Sequence, residues 1–507
     1  MNALSIRNIL TAKNLLLGLG VVISTLVAVH VFRTWWRLRH IPGPFLASIT
    51  NLPRVFWVKT KHAQLIHQDV HRKYGEIVRT GPNMVMFENP KAIPIVHVMR
   101  RGTIKAPFYD IFKSWTPDGG RVTVFNATNE ETLKKIKSPV APLFSATNAV
   151  AFEGLVDEVL ECFERNVNKR FLDNGGPIFD LAKWAQYYAF DVMGTLTFSK
   201  RYSFLDDGED VGGMLGAIYT YMESAAPLTQ IPWADRLLFK NWIAHAIRRV
   251  PSLKILTFVS NTIKEREAQV AEGKERREKP DFLRKYMEVA GKHPELPPSI
   301  VSNWTFTNVI AGSDSVGSTI TTIMFHLLQN TSTLQKLHTE LSSANLTLPY
   351  AKLNETQTLP YLDACMWEAL RLHPAFALLF ERVVPEGGIT VLGHYLPAGT
   401  WVGGNPYVVN RHKETFGADS EFWRPERWLE GDERHNYTLQ QSTLTFGAGR
   451  RICIGRHIGI LEVKKMISFL ILNYDIHMID PKPLETQNWW LFRQEGFYVR
   501  IEKRANP

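Results

Sequence analysis

The sequence predicts a mainly α chain with a small β portion, and three observations carry that prediction. Ile300 to Gln329 forms one long apolar helical candidate, and His457 to about Leu472 forms a second. From Ala149 to His293 the pattern is mostly helical in character. Strand signals are confined to short runs: Ile77 to Arg79 and Val85 to Phe87 around the turn Gly81-Pro82-Asn83, and Gly388 to Thr400, where glycines and alternating apolar residues read as strand–turn–strand. The 507 residues, 45% of them apolar, suffice for one large domain or two to three ordinary ones around a sizeable core.

The N-terminus reads as a membrane segment. Leu15 to Phe32 is an uncharged run of 18 residues, at the lower edge of what spans a bilayer. Arg33, Trp35, Trp36, Arg37, Arg39 and His40 follow as an aromatic and basic collar suited to an interface. A cleaved signal peptide is the competing reading, but no small-residue cleavage site precedes the collar, so an uncleaved anchor is expected. Arg7 and Lys13 place positive charge on the other flank as well, which leaves orientation open. Ile41-Pro42-Gly43-Pro44 then forbids helix continuation. The expected organisation is a tail (1–14), an anchor (15–32), a collar and hinge (33–44) and one catalytic domain (45–507).

Composition narrows the function class. Only Cys162, Cys365 and Cys453 occur, which is no disulfide framework and suits a domain facing a reducing compartment. The net charge of +10 suits an anionic membrane surface or an acidic protein partner. No concentrated basic stripe of the nucleic-acid kind is present, and the run Lys274 to Lys279 is interrupted by Glu275 and Glu278.

Further along, Lys61 to Tyr74, Pro90 to Met99 and Glu130 to Lys137 read as helices. Arg101 to Asn129 is a long loop carrying Phe108, Tyr109, Phe112, Trp115 and Phe125, of a length expected to be functional or disordered. Within the long candidate helix stands Ala311-Gly312-Ser313-Asp314-Ser315. A mid-helix glycine costs about 1 kcal/mol relative to alanine, and a buried acid and alcohol beside it add desolvation. A local rule broken without structural gain points to function: a groove at Gly312 able to hold O2, with Asp314 and Ser315 relaying protons. Glu368 and Arg371 lie at i and i+3 on one helical face, followed by His373-Pro374 and later by Phe422-Trp423-Arg424-Pro425-Glu426-Arg427-Trp428. Last comes Phe446-Gly447-Ala448-Gly449-Arg450-Arg451-Ile452-Cys453-Ile454-Gly455, one cysteine in a glycine-bracketed loop close to a helix N-terminus, where an anion is favoured.

The pattern F-x-x-G-x-R-x-C-x-G resembles the haem-binding loop of the cytochrome P450 family, and the two preceding motifs occur in that family's order. The resemblance covers roughly Ile41 to the C-terminus. It implies the cytochrome P450 fold, with haem b (iron protoporphyrin IX) between the long helix and the cysteine loop. By position Cys453 would be the axial thiolate, Phe446 would lie under the haem, Gly449 would shape the loop, and Arg451 would hold a propionate. Arg382 falls where the family has another propionate-binding residue. Lys137 stands where the family usually has an arginine, and Leu133 where a histidine falls. Asp314 matches the family's acid, and Ser315 replaces its usual threonine. Glu368, Arg371 and Arg427 would form the triad that buttresses the cysteine loop. Phe376 to Leu379 would line the pocket, with the Arg101 to Asn129 loop over it.

The implied activity is NADPH- and O2-dependent monooxygenation of an apolar small molecule. No nucleotide-binding glycine motif is found, so electrons would come from NADPH through a separate cytochrome reductase, with cytochrome b5 as a further donor. Arg450, Arg456, Lys464 and Lys465 are expected to form the landing site. The middle and hinge segments look most like fungal members, including those related to pisatin demethylase, which suggests secondary metabolite biosynthesis at the endoplasmic reticulum membrane. Two alternatives stay open at this point: a haem-thiolate isomerase or dehydratase that uses no external O2, and a non-catalytic haem binder.

Overall fold

A computed structural model describes residues 3–98, 102–114, 120–173, 175–247, 254–272 and 281–504. Trp115 and the Lys274 to Lys279 run lie outside the described residues. Helices dominate, as expected for a mainly α cytochrome P450 fold. The strands are β1 (Ile77–Gly81), β2 (Met84–Phe87), β3 (Ile104–Lys105), β4 (Phe179–Asp180), β5 (Arg382–Val383), β6 (Ile389–Val391), β7 (His394–Leu396), β8 (Trp401–Gly404), β9 (Tyr474–Met478), β10 (Glu485–Trp489), β11 (Leu491–Glu495) and β12 (Tyr498–Lys503). The largest sheet has the order β1-β2-β8-β5-β3; β4-β12-β9 form a second, and β6-β7 and β10-β11 are hairpins.

The N-terminal helix runs from Ala3 to Arg37, and its stretch Leu17–Arg37 is apolar and long enough to cross a bilayer, with no residue of its apolar window buried. The Pro42-Gly43-Pro44 break fastens it to the folded domain. Arg79 N donates to Pro42 O at 2.7 Å, and a Cβ at Gly43 would collide with the Arg79 carbonyl oxygen. The Arg79 side chain reaches back to the carbonyls of Thr34, Trp35 and Ser48 at 2.9–3.1 Å, capping the end of the long helix.

The core is built around the Ile300–Gln329 helix, whose bounds match the expected run. It packs most extensively on the Leu181–Phe198 helix and also against Arg456–Asn473 and Pro360–Leu372. Two glycines permit these approaches. A Cβ at Gly317 would press on the backbone of Gln186, and one at Gly312 on the sulfur of Met193. The place of the missing side chain at Gly312 is therefore taken by Met193, which corrects the expectation that its absence leaves a groove for O2: the glycine serves close helix packing, though its backbone stays half-exposed.

Two other expectations need adjusting. Pro90 to Met99 holds only a 3-10 turn (Pro90–Ala92) and a single α turn (Ile93–Val96), with Met99 outside the described residues. Within the Arg101 to Asn129 loop, β3 pairs with β5, and a 3-10 turn (Pro107–Phe112) follows it.

Candidate active site

The cysteine loop is a tight return held by its own backbone. Cys453 N donates to Phe446 O at 2.8 Å, and Gly447 N to Leu444 O at 2.8 Å. Gly447 and Gly449 have φ of +66° and +63°, and a Cβ at Gly449 would collide with the carbonyl oxygen of His97, so glycine is required there. The Arg456–Asn473 helix starts directly after the loop and aims its N-terminus at the sulfur. Burial pushes the Cys453 thiol up, while the N–H groups of Gly455 and Arg456 pull the other way, joined by the charges of Lys137 and Arg456. Cys453 nevertheless keeps open surface. Cys453 is thus hemmed in by the loop and the helix start and still accessible as a residue.

The long helix packs against the helix that follows the loop. In its middle, Ala311 is exposed and Thr307, Ile310, Gly312 and Ser315 are half-buried, an open face at helical spacing, with Phe306 and Asn308 half-buried beside it. Gly459, six positions beyond Cys453, would bring a Cβ within 3.6 Å of Val316, which sets this face close to the cysteine loop. Ser315 Oγ donates back to Ala311 O at 2.7 Å. Asp314 points elsewhere: it is 1% exposed, and its Oδ1 lies 3.3 Å from Gln186 Nε2 and 3.4 Å from the Tyr219 hydroxyl. Burial raises its carboxyl to about 7.

Cations converge beside the cysteine loop. Arg451, Arg382 and Lys137 act on one another electrostatically together with Lys105 and His97. Lys105 and His97 were not anticipated from the sequence, where neither belongs to a motif. Lys105 is 7% exposed and lies 3.9 Å from the Tyr109 ring centroid and 4.5 Å from that of Phe125. Burial holds it well below the usual lysine range, reinforced by Arg382 and Arg451. Arg382 Nη1 donates to the Tyr109 hydroxyl at 3.3 Å, and Lys137 Nζ to Arg450 O at 2.9 Å. One carboxylate opposes the group: Glu130, 2.6 Å from Arg451 Nη2. Arg451 Nη1 and both ring nitrogens of His97 are buried without a partner. Buried cations in excess of anions are costly unless an anion joins them. A flat cofactor with carboxylates at one rim and iron against the sulfur fits these residues.

Behind the loop, Glu368 accepts from Arg371 Nε and Nη2 at 2.9 and 2.8 Å. It also accepts from Arg427 Nε at 3.0 and 3.1 Å and from Trp428 Nε1 at 2.9 Å. Arg427 thus contacts Glu368 through Nε alone and turns its other nitrogens to the Phe416 and Asp419 carbonyls. The network reaches the loop through Asn410: Arg371 donates to Asn410 O at 3.0 Å, and Asn410 Oδ1 receives Leu444 N at 2.8 Å. Thr445 Oγ1 bonds Leu370 O at 2.7 Å. Phe446 stands edge-on to Trp367 at 6.1 Å.

An aromatic cluster joins three segments. Phe112 and Phe125 from the Arg101 to Asn129 loop and Phe376 pack around Trp490, with centroids 4.6–5.0 Å from it. Trp490, at the tip of the β10-β11 hairpin with φ +84°, carries no motif that sequence reading would single out.

The expected landing site is overturned in part. Lys464 and Lys465 are 2% and 1% exposed. Lys464 pairs with Asp363 at 2.7 Å, and Lys465 with Glu153 and Asp157 at 2.9 and 2.8 Å. They face inward because their helix is buried on nearly every side, so they are structural ion pairs and not a landing site.

The cytochrome P450 family model matches residues 42–501. The chain is 56% identical over 497 residues to the cytochrome P450 monooxygenase mfmA of Annulohypoxylon moriforme, covering 96% of each protein. It is 47% identical to the cytochrome P450 monooxygenase pkfB of Emericella nidulans, covering 96% of this chain and 97% of that one. It is 44% identical to the cytochrome P450 monooxygenase asR2 of Sarocladium schorii, covering 94% of this chain and 95% of that one.

Proposed function

The chain belongs to the cytochrome P450 family, and we propose that it is a membrane-anchored haem-thiolate monooxygenase inserting one oxygen atom from O2 into an apolar small molecule. The observation that carries this reading is the exposed Cys453 at a helix N-terminus, on an element that packs close to the open face of the Ile300–Gln329 helix. Haem b, when bound, supplies the activation of O2 with electrons drawn from NADPH through a reductase. The residues of the chain do the rest. Cys453 holds the iron, with the Gly455 and Arg456 N–H groups steadying the negative sulfur. Arg451, Arg382, Lys105, His97 and Lys137 hold the propionates. Asp314 stores a proton and Ser315 orients water on the open face. Phe112, Phe125, Phe376 and Trp490 offer an apolar, aromatic wall to the substrate and keep bulk water out.

Electron delivery is assigned to the face behind the cysteine loop. Lys134 and Lys135 are exposed on the Glu130–Lys137 helix, with half-buried Arg450 and Arg456 nearby in the loop. This replaces the buried Lys464 and Lys465 as the docking patch for an acidic reductase or cytochrome b5. The unburied Leu17–Arg37 helix supports anchorage in the endoplasmic reticulum membrane with the catalytic domain in the cytosol. Exposed Phe45, Leu46, Phe56, Trp233 and Trp242 extend the apolar surface that would meet lipid. The fungal relatives support a role in secondary metabolite biosynthesis. The test is to delete the gene, isolate the metabolite that accumulates, and feed it to the reductase-reconstituted enzyme under isotopically labelled O2. One labelled oxygen in an NADPH-dependent product is expected. Product formed without NADPH or O2 would contradict the assignment.

A further inference from the structure

Asp314 is held by two side chains from two other helices. Gln186, on the Leu181–Phe198 helix, gives an N–H to Oδ1 at 3.3 Å. Tyr219, on the Met214–Leu228 helix, places its hydroxyl 2.7 Å from Gln186 Oε1 and 3.4 Å from Asp314 Oδ1. Gly317 makes this possible, since a Cβ there would push the Gln186 backbone away. A hydroxyl has one hydrogen. When Tyr219 donates to Gln186, its contact with Asp314 closes only if Asp314 carries a proton and donates it. When Tyr219 turns its hydrogen to Asp314, the acid is met as a carboxylate. Asp314 Oδ2 is buried with no partner in either setting.

Tyr219 is only half-buried, and its ring borders the surface. The Arg493 guanidinium lies 4.6 Å from the Tyr219 ring centroid and pairs with Glu495, whose side chain is 46% exposed. The charged groups around the acid are accounted for: Tyr219 faces it from one helix and neutral Gln186 from another, while Arg493 and Glu495 on β11 act on Tyr219.

We infer that Tyr219 and Gln186 are positioning residues for the oxygenase reaction, which hold Asp314 and reload it with protons entering at the Arg493–Glu495 end. In each reload Tyr219 passes its hydroxyl proton to Asp314 and takes one from a hydronium ion at that end, which leaves as water, so charge and atoms balance. The inference rests on the monooxygenase reading above.

The experiment uses the full-length haem-loaded protein in its resting state. Infrared difference spectra across pH follow the protonated-carboxyl band of Asp314, assigned by its loss in Asp314→Asn. The wild-type band should titrate near 7. In Tyr219→Phe the midpoint should move up, because a hydrogen bond to the carboxylate is lost. NADPH-driven O2 consumption by the reductase-reconstituted variant, without added substrate, should fall several-fold with a larger solvent deuterium isotope effect. Gln186→Met should shift the same band in the same direction if Tyr219→Phe fails to fold. An unmoved midpoint and isotope effect in a folded variant would overturn the inference. Absence of O2 consumption in the wild type would instead strike the monooxygenase reading and leave the infrared test of these bonds standing.

Discussion

Replacing Glu368 by glutamine keeps the side-chain shape and removes one charge from the network behind the cysteine loop. Glu368, Arg371 and Arg427 are 0%, 0% and 2% exposed. The carboxylate accepts from both guanidinium groups, from the Trp428 indole and from the Arg424 backbone N–H at 2.9 Å. Glutamine leaves two buried guanidinium groups facing one neutral oxygen and turns an N–H toward donors. Breaking a buried pair in this way costs about 3–5 kcal/mol. Asp419, at 3.2 Å from Arg427 Nη1 and itself 39% exposed, shields that arginine in part, so the lower end of the range is expected. Against a total stability of about 5–15 kcal/mol the loss is large. Urea unfolding of Glu368→Gln and wild type at neutral pH measures it. The pH dependence supplies an independent check. The arginines hold the Glu368 carboxyl below its usual range despite burial. Its contribution is therefore present above the unfolded-state value of 4.5 and lost as pH falls through the folded one, so the gap between the two proteins should close in acid. A glutamine variant within about 1 kcal/mol of wild type at neutral pH would refute the reasoning, since that is the scale of an exposed pair.

Gly449→Ala forces a side chain into φ +63° and against the His97 carbonyl. It should lower the haem-to-protein ratio on purification and destabilise by at least about 1 kcal/mol, read by thermal melting. Lys465→Met strands Glu153 and Asp157 and should cost about 3 kcal/mol or more in urea unfolding, whereas Lys134→Glu with Lys135→Glu should leave stability unchanged and slow reductase-driven reduction in stopped flow, with a weaker salt dependence. Lys105→Met should weaken haem retention in a transfer assay to apomyoglobin several-fold. The same loss is not expected for Lys59→Met, an exposed lysine on the Leu52–Lys59 helix.

Much of the site was legible because the chemistry restricts residue types at short spacing. Glycine is the only residue that tolerates the Gly449 backbone, and Arg451 and Cys453 follow within the same loop, so that motif survives any change around it. Glu368 and Arg371 share a helical turn, and Arg427 lies in a compact second motif. What stayed hidden is assembled across the chain. Lys105 and Arg382 become neighbours only because β3 pairs with β5, and Trp490 meets Phe376 only through a hairpin tip. Gly312 was misread for a related reason. Its cost in the helix interior is visible locally, but the Met193 sulfur that fills its place comes from another helix. Lys464 and Lys465 were misread because a lysine pair ordinarily marks a surface, and their carboxylate partners lie on separate helices.

The most direct measurement is the absorption spectrum of the purified, reduced protein under carbon monoxide, taken beside a Cys453→Ser variant with equal haem content. A strongly red-shifted main band in wild type that is lost in Cys453→Ser is the expected result. A wild-type protein, folded and loaded with haem, whose band matches that of the serine variant would remove Cys453 from the iron and the oxygenase chemistry with it.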